Sequence, residues 1–264
     1  MDIKELQVSN GSASKQNHPW EYARSKVIFS IIKKYLKKLT GNKVLDIGCG
    51  DVFFLTQFAD KYSNFDLIAV DTAFDQELIS KIASERSKYN IQFFNDIKNI
   101  TDIQDASVVF LLDVIEHIKD DVCFLKDISS QEYINFNTII IITVPAFNCL
   151  YCSHDKWLGH CRRYSYALLK QHIAAAGLSC VDGDYFFTSL LFPRYIQKLI
   201  EKINKEQKFN NQGIGNYKGG KVLSFLYEKF LLLDFYFFRS FRFLGIKVPG
   251  LSTYIICKKQ NELS

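Results

Sequence analysis

Lys43-Val-Leu-Asp-Ile-Gly-Cys-Gly-Asp51 is a short apolar strand running into a glycine turn. Val44, Leu45 and Ile47 supply the strand, and Gly48 and Gly50 the turn. Val52, Leu55, Phe58 and Ala59 then recur on one face at helical spacing. Strand, glycine turn and helix form the layout of a nucleotide-type cofactor site. Glycine lets the backbone approach a ligand with no Cβ in the way, and the helix N-terminus offers free N–H groups.

The glycine spacing narrows the cofactor. A dinucleotide fingerprint needs a third glycine for close helix–strand approach, and Phe53 stands there instead. No Gly-Lys-Ser/Thr follows, so this is not a Walker-type phosphate loop. What remains is D-x-G-x-G: Asp46, Gly48 and Gly50, with Cys49 between the glycines. It resembles motif I of the class I S-adenosylmethionine-dependent methyltransferases.

Further acids fall at strand ends. Phe65-Asp-Leu-Ile-Ala-Val-Asp71 reads as a second strand, its terminal acid about 20 residues past the turn, followed by Thr72. A carboxylate there can accept from both ribose hydroxyls; the bland alternative is a turn acid. A third strand, Ile91–Phe94, ends at Asn95-Asp96, a fourth, Ser107–Leu112, at Asp113, and a fifth, Thr138–Val144, at Pro145. A sixth from Leu178 to Phe187 and a seventh from Ser252 to Lys258 complete the set. Strands separated by helix-length gaps argue for parallel βαβ units, whose ligands sit beyond the carboxyl ends of the strands. The resemblance implies an α/β, Rossmann-like, mostly parallel sheet in order 3-2-1-4-5-7-6 with helices on both faces. It also implies S-adenosylmethionine as cofactor, S-adenosylhomocysteine as product, and Asp46, Gly48, Cys49, Gly50, Asp71, Thr72, Asn95, Asp96 and Asp113 as cofactor-site residues, Asp96 toward the adenine.

A single domain of 264 residues is expected. Residues 1–17 are polar, and 18–40 read as a helix with Val27, Ile28, Ile31, Ile32, Tyr35, Leu36 and Leu39 on one face and Gly41 as its stop. Trp20, Tyr22 and Arg24 at its start either cover the cofactor site or pack on the core. Asp120 and Asp121 cap a further helix, and Ser165 another that ends at Gly177. Residues 41–187 and 250–260 carry the sheet. Residues 188–248 form an aromatic helical insertion, far longer than a hairpin loop. In helical projection Lys221, Glu228, Arg239 and Arg242 share one side of 222–244, and the opposite side is broad and aromatic. Packing on the protein's own core is the default use of that side. Capping a hydrophobic pocket, pairing in a homodimer and lying on a membrane surface stay open.

The net charge of +5 is modest and not gathered into a basic run, which disfavours nucleic acid as partner. Met1-Asp-Ile-Lys-Glu5 lacks the apolar stretch of a signal peptide. The one stretch of about 20 residues free of Asp, Glu, Lys and Arg, 133–154, is broken by Asn135, Asn137, Pro145 and Asn148, which disfavours a spanning helix. These readings predict a cytoplasmic protein, or one at the inner face of the membrane. Seven cysteines fit reduced thiols. Cys149, Cys152, His154, His160 and Cys161 have a spacing that zinc tolerates, but Arg162 and Arg163 beside them make a poor home for thiolates. No metal is expected.

Methyl transfer mainly requires bringing an acceptor to attack distance and excluding water, with a general base useful for a hydroxyl acceptor. Asp113-Val-Ile-Glu-His117 resembles the D-x-x-E-H form of small-molecule methyltransferases, including those acting on quinone precursors. There the histidine lies on the substrate side, and His117 is one candidate base. The loop from Val144 to Tyr164 resembles the P-A…S-x-H-D…G-H-x-R-R-Y pattern of a bacterial subgroup found near cell-envelope genes. His154 is then a second candidate base, and Asp155, His160, Arg162 and Arg163 are candidate substrate residues. Positive charge before the helix capped by Ser165 opposes its dipole, so each arginine meets either an anionic substrate group or an internal carboxylate, Asp155 or Glu116. The expectation is O-methylation of a small or lipid-linked acceptor, partly apolar and partly anionic. A non-catalytic S-adenosylmethionine-binding partner subunit and an NAD-dependent oxidoreductase are the competing readings.

Overall fold

The computed structural model describes residues 18–39, 41–100, 103–203 and 219–260. The polar stretch predicted at 1–17 and most of that between the insertion's helices lie outside the described residues. Seven strands form one sheet: β1 Lys43–Ile47, β2 Asp66–Val70, β3 Ile91–Phe94, β4 Val108–Leu112, β5 Ile139–Pro145, β6 Leu178–Phe186 and β7 Ser252–Lys259. Their order is β3-β2-β1-β4-β5-β7-β6, as expected. β7 runs antiparallel to both its neighbours, and the pairings among the first five strands are parallel.

Strand alternation builds two cores. Along β4, Val108, Phe110 and Leu112 face one layer, while Val109 and Leu111 face the other. The first layer holds α1 (Pro19–Leu36), α2 (Phe53–Lys61) and α3 (Gln76–Glu85), which contribute Ile31, Leu55, Phe58 and Ile82. The second holds α4 (Asp121–Ser129), through Leu125 and Ile128. A short α5 (Ser153–Leu158) precedes α6 (Tyr166–Ala175), which adds Leu169 and Ile173 to that second layer. Helix starts follow the sequence: Asp120 Oδ1 accepts from Cys123 N–H at 3.0 Å, and Ser165 Oγ from Leu168 N–H at 3.1 Å.

Three differences have local causes. α1 ends at Leu36, not at Gly41, because the Lys38 N–H turns back to the Tyr35 carbonyl at 2.9 Å, a tighter turn than the helical one. The loop after β5 contains α5, because Asp155 returns its carboxylate to the Cys152 N–H at 2.9 Å, and Gly159 at φ +84° closes the turn. The insertion carries α7 (Leu191–Ile203) and α8 (Lys221–Ser240) with only Leu231, Asp234 and Phe235 buried between them. α7 turns polar side chains toward the protein, whereas α8 packs Leu231 and Phe235 into the core, in line with the expected core packing, and leaves Leu233, Tyr236 and Phe237 exposed on its other side. Glu201 accepts from the Ser153 N–H at 2.9 Å, Glu228 pairs with Lys26 at 2.5 Å, and Asp234 accepts from the N–H groups of Thr188 and Ser189 at 2.9 and 2.8 Å.

Candidate active site at the carboxyl ends of the strands

A cavity of about 1020 Å³ opens beyond the carboxyl ends of β1, β2, β4 and β5. Its cofactor-like wall is the glycine turn. Gly48 and Gly50 have φ of +72° and +57°, a region that favours glycine, and a Cβ on Gly48 would lie 2.6 Å from Val114. Asp71 ends β2 and knits the turn: its Oδ2 accepts from Gly50 N–H at 2.9 Å and its Oδ1 from Ala73 N–H at 3.0 Å. Thr72, Asn95, Asp96 and Asp113 line the same wall. Asp96 also caps a short turn, accepting from Lys98 N–H at 2.8 Å.

Two cofactor-site expectations land elsewhere. The Cys49 side chain packs in the core, where burial pushes its thiol pKa up. Asp46 lies behind the cavity, 2% exposed, and burial lifts its carboxyl to about 7.

The N-terminal helix covers this end. His18, Trp20, Glu21 and Arg24 line the cavity, while Tyr22 stands edge-on to Phe53 at 4.9 Å. Arg24 donates to Thr143 Oγ1 and pairs with Asp113 Oδ2, both at 2.9 Å, and Thr143 donates to Asp113 Oδ1 at 3.0 Å. The guanidinium lies 5.3 Å from the Trp20 ring.

The opposite wall comes from the two recognisable loops. His117, His154, His160 and Arg163 line it together with Glu116. Burial and the Arg194 charge lower His154 to about 4, so its imidazole is neutral at pH 7. Arg163 is 3% exposed and held by Asp155 at 2.8 Å, and His160 Nδ1 lies 2.9 Å from the same oxygen. Burial alone would raise the Asp155 pKa, but these bonds outweigh it and hold the carboxyl well below the usual range. Asp155 itself does not line the cavity. Nor does Arg162, which pairs with Asp121 at 3.0 Å and donates to the carbonyls of Ile118 and Lys119. Both arginines therefore have internal carboxylates before α6. Asp155 was one of the two partners anticipated; Asp121 was not. Cys149 and Cys161 are exposed, and Cys152 is buried, with Arg194 donating to its sulfur at 3.1 Å.

Leu190, Pro193, Arg194, Gln197 and Tyr227 complete the mouth. Sequence reasoning missed Arg194, Gln197 and Tyr227 as site residues. The available signal for Arg194 and Gln197 was the polar stripe of α7, which faces inward.

Residues 20–182, more than half the chain, match a family described as a methyltransferase domain. A tRNA U34 carboxymethyltransferase from Campylobacter jejuni is 27% identical over 123 residues, which are 45% of this chain and 40% of that protein's length. Among solved structures, the [4+2]-cyclase SpnF superposes with a TM-score of 0.56 at 14% identity, covering 98% of this chain and 93% of that one. A sarcosine dimethylglycine methyltransferase from Galdieria sulphuraria gives 0.55 at 11%, covering 90% and 85%. These superpositions speak for the fold. With the family match and the glycine turn in place, the chain belongs to the methyltransferase-domain family and carries its Rossmann-like seven-stranded fold.

Proposed function

We propose that this enzyme methylates an oxygen of a small or lipid-linked acceptor that is partly apolar. The observation that carries the reading is one continuous cavity. It joins the glycine turn and Asp71 to a wall of histidines and Arg163, and at its mouth the insertion sets Leu190, Pro193 and Tyr227 beside Arg194 and Gln197.

The residues fit S-adenosylmethionine. The open turn at Gly48 and Gly50 admits close backbone approach, Asp71 suits ribose hydroxyls, and Thr72, Asn95 and Asp96 suit the adenosine. When bound, the cofactor supplies a methyl group on a cationic sulfur. The chain's own part is positioning and proton handling. Arg24 and Trp20 cover the site. His117 and His154 are the groups that can take a hydroxyl proton, and the neutral imidazole of His154 accepts a hydrogen bond across the whole physiological range. Arg163 lends positive potential to the acceptor wall while staying bound to Asp155.

The outer faces of α7 and α8 support the lipid-linked form of the acceptor. Phe192, Leu233 and Phe237 are 70%, 69% and 62% exposed. The acids of these helices turn inward to protein partners, while Lys202, Lys221 and Lys229 remain exposed. An apolar face with a cationic fringe complements an anionic lipid surface. No helix among the described residues is long and apolar enough to cross a membrane, so the contact would be peripheral.

Calorimetric titration with S-adenosylhomocysteine tests the cofactor half. Asp71→Ala should weaken binding at least about tenfold, since a hydrogen bond to a charged group contributes about 1.5–3 kcal/mol. NADH should not bind. Methyl label from the cofactor should then appear in phenolic small molecules or lipid extract. Label confined to tRNA would overturn the acceptor reading.

A further inference from the structure

The geometry points to a divalent transition-metal site formed by Glu116, His117 and His160 on the acceptor wall of the cavity. One ligand atom from each of the three lies within 4.8 Å of the others. All three line the same cavity.

Two independent observations direct a cation to them. Glu116 is 0% exposed, and neither of its carboxyl oxygens has a hydrogen-bond partner. Other buried polar atoms also lack a partner, but Glu116 is the one acid among the described residues with both carboxyl oxygens in that state. Leaving a buried acid so is costly, and a bound cation removes that cost. His160 places Nδ1 2.9 Å from Asp155 Oδ1. A carboxylate at Nδ1 fixes the proton there and leaves the Nε2 lone pair for a metal, the usual outer support of a ligating histidine. Asp155 is in turn fixed by Arg163 and by the Cys152 N–H.

The donor set selects the ion. Two imidazoles and one carboxylate suit Zn²⁺, Fe²⁺ or Mn²⁺, whereas Mg²⁺ and Ca²⁺ prefer all-oxygen shells. Ligand bonds of about 2.0–2.2 Å require the three side chains to draw together slightly. The rings of His117 and His160 already meet edge-to-face at 4.7 Å. The remaining coordination positions would face the cavity. An acceptor hydroxyl reaching the ion would become more acidic, its proton leaving to solvent. His117 would then serve as a ligand, leaving His154 as the side-chain base. This use of the ion rests on the methyl-transfer reading; binding of the ion does not.

The test uses full-length protein freed of metal with EDTA and titrated calorimetrically with ZnCl₂ and with MnCl₂, alongside S-adenosylhomocysteine. One ion per chain at micromolar or tighter affinity is expected. Glu116→Gln and His160→Ala should each weaken binding at least tenfold, and a Cys149→Ser/Cys161→Ser variant should not. Co²⁺ added to the unaltered protein should give a d–d spectrum without a thiolate charge-transfer band, a readout independent of any variant's folding. No ion bound by protein that still binds S-adenosylhomocysteine, or binding lost only with the cysteines, overturns the site. Ion binding without S-adenosylhomocysteine binding would leave the site standing and remove the methyl-transfer reading instead.

Discussion

Arg24 in the first turns of α1 holds Asp113 at the end of β4, with Nη2 and Oδ2 2.9 Å apart. The pair ties the cover of the cavity to its floor. Asp113 has φ +59°, an uncommon backbone state for a non-glycine residue, and its second oxygen is held by Thr143.

Arg24→Leu should therefore loosen the cover more than the fold. A lost charge-assisted bond of about 1.5–3 kcal/mol predicts S-adenosylhomocysteine affinity lowered about 10-fold or more. Calorimetry checks this, with the thermal midpoint as the separate measure of stability.

Asp155→Asn should be among the most damaging single changes. It leaves Arg163 buried without its carboxylate and releases His160, and breaking a buried pair costs about 3–5 kcal/mol. The pH dependence has a definite sign. The folded carboxyl lies below its unfolded value, so its stabilisation is complete above the unfolded pKa of about 3.9 and fades as pH falls through the folded one. Urea unfolding from pH 7 downward should show that acid limb in the parent and a flatter one in the variant.

Asp46 works in the opposite direction. Its folded pKa, about 7, lies above the unfolded value. Stability linked to it is complete below about pH 3.9 and is lost as pH rises through 7. Asp46→Asn should flatten the stability profile between those limits and leave a more stable protein at pH 8, read by the same unfolding series.

Leu233→Ser with Phe237→Ser removes two large exposed apolar side chains. The parent should float with phosphatidylglycerol vesicles and not with phosphatidylcholine ones. The variant should stay in solution with its thermal midpoint unchanged. Equal behaviour of parent and variant, or a parent dimer in sedimentation that the variant abolishes, would assign the face to something other than lipid.

The sheet was legible because strand-end acids and apolar runs are local signals. Asp71, Asp96 and Asp113 fall where a strand-by-strand reading puts them. Pairings distant in the chain were not. Nothing near Arg162 in sequence announces Asp121, and nothing near His160 announces Glu116, because the crossover through α4 brings those segments together. Projection of 222–244 put Glu228 on a charged side opposite an aromatic one, and the structure turns Glu228 to the protein together with the apolar Leu231 and Phe235. It could not say which side meets the protein, since an amphipathic pattern is symmetric to inversion. The direction was set by Lys26, Ser153 and the N–H groups of Thr188 and Ser189, all outside the helices they hold.

The insertion leaves the sheet after β6 and re-enters at β7, and its two ends meet: Leu251 N–H donates to the Phe187 carbonyl at 3.1 Å. A Cβ on Gly250 would lie 2.3 Å from the Phe186 carbonyl oxygen, so the junction is clamped. Loop-closure entropy grows only slowly with length, and strand register is set by the β6–β7 pairing. Between the clamps, α8 is fastened to α1 through Glu228 and Lys26 and shares its core layer through Leu231 and Phe235. A change in the insertion is therefore felt at the cover of the cavity as well as at its mouth, so the two walls of the site evolve together.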